Sequence, residues 1–124
     1  MKFKYSGGLL YLPITVFYDQ PIDLIAMIDT GSAGTAVNVN LFDIDMLSRS
    51  GHSITLHGIG GTQDAFVQTV SSVKIGTFEI KDFEVEFCDI EKDHFGFEAI
   101  IGSNLLDALN AVIDYSKREI NFST

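Results

Sequence analysis

Ile22-Asp23-Leu24-Ile25-Ala26-Met27-Ile28-Asp29-Thr30-Gly31-Ser32 is a strand-like apolar run that stops abruptly in an acid, a hydroxyl and a glycine. A β-strand delivering the chain straight to Asp29 would hold that carboxylate at its mouth, while Gly31 lets the backbone turn sharply away. Alone, Asp-Thr-Gly is also an ordinary turn, because Asp and Gly favour turns for conformational reasons unrelated to function. What surrounds the segment has to decide between the two.

Upstream, Leu10-Tyr11-Leu12-Pro13-Ile14-Thr15-Val16-Phe17-Tyr18 reads as a second strand, joined to the first by the turn-forming Asp19-Gln20-Pro21. Downstream of Val39, residues 40–50 are more polar and read as a loop with a short helical turn. Strand character resumes at Ile54-Thr55-Leu56. Gly58-Ile59-Gly60-Gly61-Thr62 then makes the tip of a hairpin that returns through Ala65-Phe66-Val67-Gln68-Thr69-Val70. Residues 73–80 and 83–88 continue the alternation. One helix is predicted after Ile100-Ile101-Gly102, with Ser103 as N-cap, Leu105, Leu106, Leu109 and Val112 on one face, and Asn110 as its stop. Ala111-Val112-Ile113-Asp114-Tyr115 and Glu119-Ile120-Asn121-Phe122 close the chain as a hairpin. The pattern is all-β with one short C-terminal helix, without internal repeat or linker.

A chain of 124 residues encloses one modest core, so residues 1–124 are expected to form a single domain. Hydrophobic residues at 46%, charged residues at 20% and ten Phe place it among folded globular proteins. The net charge of −9, with eight Lys and Arg scattered from Lys2 to Arg118, argues against nucleic acid and favours basic or neutral peptides as partners. Cys88 is the single cysteine, read as a buried thiol in a reducing compartment. Pro13 interrupts the apolar stretch 9–18 and no small-residue cleavage site follows it, so a cytoplasmic protein is expected. No run approaches the roughly 18 apolar residues that span a bilayer, and no membrane partner is expected.

No metal or cofactor is expected either. Asp89, Glu91 and Asp93 alternate like calcium ligands, but His94 and Ile100 stand where such a loop needs Gly and Glu. His52, His57 and His94 lack zinc-site spacing, and Ser32 has no evident His partner to make it a nucleophile.

Three segments together resemble the retropepsin-like family of aspartic proteases. Ile28-Asp29-Thr30-Gly31-Ser32 looks like its catalytic loop, His57-Gly58-Ile59-Gly60-Gly61-Thr62 like its mobile flap, and Ala99-Ile100-Ile101-Gly102 like the apolar segment packed under the loop. The resemblance spans most of the chain and implies a closed acid-protease barrel and an aspartic endopeptidase acting on extended peptides. It implies Asp29 as the catalytic residue, supported by Thr30, Gly31 and Ser32, with Gly58, Ile59, Gly60 and Gly61 closing over substrate. Thr30 would bond across a dimer, Gly31 would place a carbonyl near substrate, and Ser32 would donate to Asp29 and give a more acidic activity profile than Ser32→Ala. Ala33, Val37, Phe66 and Ile101 are expected to line the cleft.

The implied chemistry needs two carboxylates sharing one proton. This chain has one Asp-Thr-Gly and no Asp-Ser-Gly, so the second is expected from another copy, in a homodimer. Lys2-Phe3-Lys4-Tyr5 and Ile120-Asn121-Phe122 are strand-like enough to interleave between copies, although the chain is longer than the shortest retroviral enzymes and residues 40–50 offer another interface. A catalytically inactive dimerisation or peptide-binding module, and a monomeric β-domain with an incidental turn, are the alternatives.

Overall fold

Alternation along the chain decides the architecture. In β2 (Leu9–Phe17), Leu10, Leu12, Ile14 and Val16 are buried, while Leu9 and Pro13 are exposed and Tyr11, Thr15 and Phe17 lie between. That period of two is the mark of a strand packed on one face. The structure is a computed structural model describing residues 1–43, 52–58, 61–90 and 92–123.

The remaining strands are β1 (Lys4–Ser6), β3 (Pro21–Ile28), β4 (Ala36–Asn38), β5 (His52–Gly58), β6 (Gly61–Ile75), β7 (Phe78–Cys88), β8 (Ala99–Ile101), β9 (Val112–Asp114) and β10 (Glu119–Asn121). Strands β1 to β8 form one sheet in the order β1-β2-β3-β8-β4-β7-β6-β5, in which β2 pairs additionally with β6. β9 and β10 form a separate hairpin. Neighbours are antiparallel except β3 with β8 and β4 with β7. Among the described residues two short helices, α1 (Lys92–Phe95) and α2 (Ser103–Ala108), interrupt the strands, and neither is long and apolar enough to cross a membrane.

One face of the sheet encloses the main core, where Leu12, Val16, Val37, Val70, Val73, Ile75, Val85, Phe87, Ile101, Leu105 and Ile120 are almost fully buried. Phe87 meets Phe42 edge-on with ring centroids 4.9 Å apart, a contact worth about 0.5–1.5 kcal/mol beyond its buried area. A smaller cluster of Ala36, Ala65, Cys88, Ile90 and Phe97, with Tyr11, Met27 and Ile100 against it, lies apart from this core.

The predicted hairpins are present, but residues 73–80 are not one strand, because the chain turns at Gly76 (φ 60°) and Thr77 between β6 and β7, and the helix differs too. It ends at Ala108 because Asn110 takes a left-handed conformation (φ 49°), and Val112 is 62% exposed in β9 and not on a helical face. Gly102, not Ser103, is the N-cap, since the Ser103 hydroxyl is used elsewhere. Of the loop at 40–50, the described part contains a 3₁₀ turn, Val39–Leu41, and residues 44–50 lie outside the described residues.

The chain ends pair with each other. Lys2 bridges to Glu119, Phe3 N–H donates to Arg118 O (3.0 Å), and Ile120 N–H donates to Met1 O (2.9 Å). These segments, strand-like enough to interleave between copies, pair with each other within one chain.

Candidate active site

The eight residues of β3, rich in apolar side chains, bring the chain to Asp29, where the ladder makes one last bond: Asp29 N–H donates to Ile101 O at 2.9 Å. Because β8 is inserted between β3 and β4, the loop joining those two strands must cross the C-terminal end of β8. The start of α2 meets it there. Ser103 N–H donates to Ser32 O (2.7 Å), Asn104 N–H to Ala33 O (3.2 Å), and the Ser103 hydroxyl to Thr30 O (2.8 Å).

Beneath the loop, Thr35, which is 1% exposed, donates through Oγ1 to Asn104 Oδ1 (2.8 Å) and accepts from Gly102 N–H (3.2 Å). Asn104 Oδ1 also accepts from Leu105 N–H (2.8 Å). Gly102 fits because it has no side chain: a Cβ would overlap Gly34 O and lie 2.8 Å from Ser32 O. Within the loop, Asp29 Oδ1 accepts from Gly31 N–H at 2.9 Å, and Ser32 N–H donates to Asp29 O at 3.1 Å. Asp29 is half-buried, and Thr30, Gly31 and Ala33 are exposed. A carboxylate is thus presented at the surface on a backbone locked from below. Thr35 and Asn104 were not singled out by the sequence, because their hydroxyl and amide meet only when β8 and α2 come under the loop.

Asp29 continues the alternation of β3, so it leaves the strand on the side of Met27 and opposite Ile28, which faces the core. Cross-strand pairing extends that side into a row: Tyr11 opposite Met27, Met27 opposite Ile100, Ile100 opposite Ala36, Ala36 opposite Glu86, and Glu86 opposite Val67. Val37 and Ile101, expected to line a cleft, are 0% exposed in the main core, and Phe66 packs against the same core. Each is one residue out of step with the face Asp29 shares, and a slip of one residue in a strand exchanges its faces. In the hairpin, Gly58 pairs with Gly61, while Ile59 and Gly60 at its tip lie outside the described residues.

A family model described as aspartyl protease matches residues 12–105, which includes the Asp29 loop, the β5–β6 hairpin and the segment beneath the loop. The chain belongs to the aspartyl protease family. In structure it is similar to a retropepsin-like aspartic protease from Rickettsia conorii, with a TM-score of 0.64 and 22% identity over 91% of this chain and 82% of that one. No curated protein matches the chain in sequence.

Two further groups of this aspartyl protease, Ser32 in the loop and Cys88 at the end of β7, bear on its chemistry. Ser32 does not donate to Asp29: its hydroxyl proton goes to Gly34 O at 2.8 Å. A hydroxyl has one proton, and the loop's own carbonyl takes it. Ser32→Ala is therefore expected to leave the acidic limb of the pH–rate profile in place and to lower stability by about 1 kcal/mol, as profiles and thermal melts of the two proteins would show. Cys88 is 4% exposed, and burial, followed by the Glu86 and Asp89 carboxylates, pushes its thiol up to about 11. At neutral pH it is a thiol and no nucleophile. Native protein at pH 8 is expected to resist iodoacetamide, and denatured protein to gain one adduct by mass.

Proposed function

We propose that the protein is an aspartic endopeptidase that works as a homodimer, each copy contributing Asp29 to a pair that shares one proton. The observation that carries this reading is a lone Asp-Thr-Gly carboxylate held at the end of β3 on a loop bonded to Gly102, Ser103 and Asn104. With two such loops about a two-fold axis, the ionised aspartate takes a proton from water while the protonated one polarises the scissile carbonyl. In this reading the exposed Thr30 hydroxyls hold the two loops in register, and the Gly31 carbonyl receives a substrate N–H.

The β5–β6 hairpin is the flap. An extended peptide bonds to it as an added strand, and closure excludes water from the carboxylates. The additional β2–β6 pairing supports a single barrel closed on itself. The pairing of Met1, Lys2 and Phe3 with Arg118, Glu119 and Ile120 in the same chain supports a dimer contact built from surface other than exchanged termini.

Digestion of a diverse peptide library by the wild type and Asp29→Asn, with sedimentation over the same concentration range, tests the proposal. Turnover that persists in Asp29→Asn, or that accompanies a protein sedimenting only as monomer, would refute it.

A further inference from the structure

The row that shares a face with Asp29 contains one residue unlike its neighbours. Tyr11, Met27 and Ile100 are partly buried apolar residues, Ala36 and Val67 are buried ones, and between Ala36 and Val67 stands Glu86. Its direction is set by alternation: Val85 and Phe87 on either side are each 1% exposed in the main core, so Glu86 projects from the opposite face, half-buried. Its carboxylate lies against Gly34, five residues beyond Asp29 in the same loop. A Cβ on Gly34 would overlap Oε1 and lie 2.8 Å from Cδ and 3.2 Å from Oε2.

Among the described residues this carboxylate accepts no hydrogen bond and meets no cation; the ion pair present, Lys2 with Glu119, is elsewhere. Burial, and then Glu84 beside it, raises its carboxyl above the ordinary range. A half-buried carboxylate with no partner among the described residues is unfavourable for the fold, and a substrate cation would relieve it.

We propose that Glu86 is a specificity-determining residue that gives the cleft a subsite for a lysine or arginine side chain of the substrate. The inference rests on the peptidase reading of Asp29. A peptide lying across this face meets the partly exposed Met27 and Ile100 before it reaches Glu86, so a long cationic side chain packs its methylenes on them and sets its charged head on the carboxylate. Glu86 is three strand spacings from Met27, which at about 4.8 Å each places the selected residue within about four extended residues of the scissile bond. The net charge of −9 favours approach of the same basic peptides.

The test is position-resolved peptide cleavage by wild type, Glu86→Gln and Glu86→Lys, with folding of each checked by thermal melt. Wild type is expected to cleave peptides with Lys or Arg at one flanking position about ten- to hundredfold better, in kcat/KM, than peptides with norleucine there. Glu86→Gln should lose that preference mainly through KM, and Glu86→Lys should prefer Glu or Asp at the same position. A merely structural role would depress all peptides alike. Absence of a basic preference in wild type, or its survival in Glu86→Gln, would overturn the inference and leave the Asp29 reading to its own control. If wild type cleaves nothing, titration of the lysine and norleucine peptides into wild type and Glu86→Gln decides the subsite. Tighter lysine binding lost in Glu86→Gln supports it, and equal binding overturns it.

Discussion

Asp29→Asn is expected to lower kcat/KM by about ten thousandfold or more while leaving the fold and the oligomeric state unchanged. The amide keeps an oxygen where Asp29 Oδ1 now accepts from Gly31 N–H, and the backbone bonds to Ile101 and Ser32 do not involve the side chain. What is lost is the charge that activates water and the proton that two carboxylates share. A mixing experiment distinguishes a shared site from an independent one. When equal amounts of wild type and Asp29→Asn exchange subunits, roughly a quarter of the dimers carry two aspartates, so activity should fall to about a quarter of that of the same total wild-type chain. Activity of about a half would mean that each chain works alone, and the dyad would have to be abandoned.

Gly102→Ala is expected to be the most destabilising of the small substitutions near the site, at about 3 kcal/mol, or on the order of 10 °C in Tm. The added methyl group meets backbone, not side chain: Gly34 O and Ser32 O are its neighbours, and Ser32 O is already fixed by Ser103 N–H at 2.7 Å. The loop must move, and Asp29 moves with it, so activity should fall further than stability alone explains. Gly34→Ala is the control. There the methyl group meets the far end of the Glu86 side chain, which can swing aside, and the stability loss should be much smaller. Equal melting temperatures for the two variants would show that Gly102 is not the close contact described.

Much of the fold was legible because its signals are local. Alternating residues and the turn at Asp19-Gln20-Pro21 define β2 and β3, glycines mark the hairpin between β5 and β6, and Asn110 ends α2. The order of loop, hairpin and apolar segment also identified the aspartyl protease family, since a motif survives in sequence whatever packs around it. Its face assignments were not legible. β4 and β8 are three residues each, too short for alternation to say which side is core, and Val37 and Ile101 were read one residue away from Ala36 and Ile100. The acceptor of the Ser32 hydroxyl, the pairing of the chain ends and the nearness of Glu86 to Gly34 are likewise contacts between chosen partners. By itself the sequence determined the strands, their turns and the carboxylate at the end of β3, because each follows from neighbouring residues. Register and partner choice were decided only by the tertiary structure, because they depend on which distant strands lie side by side.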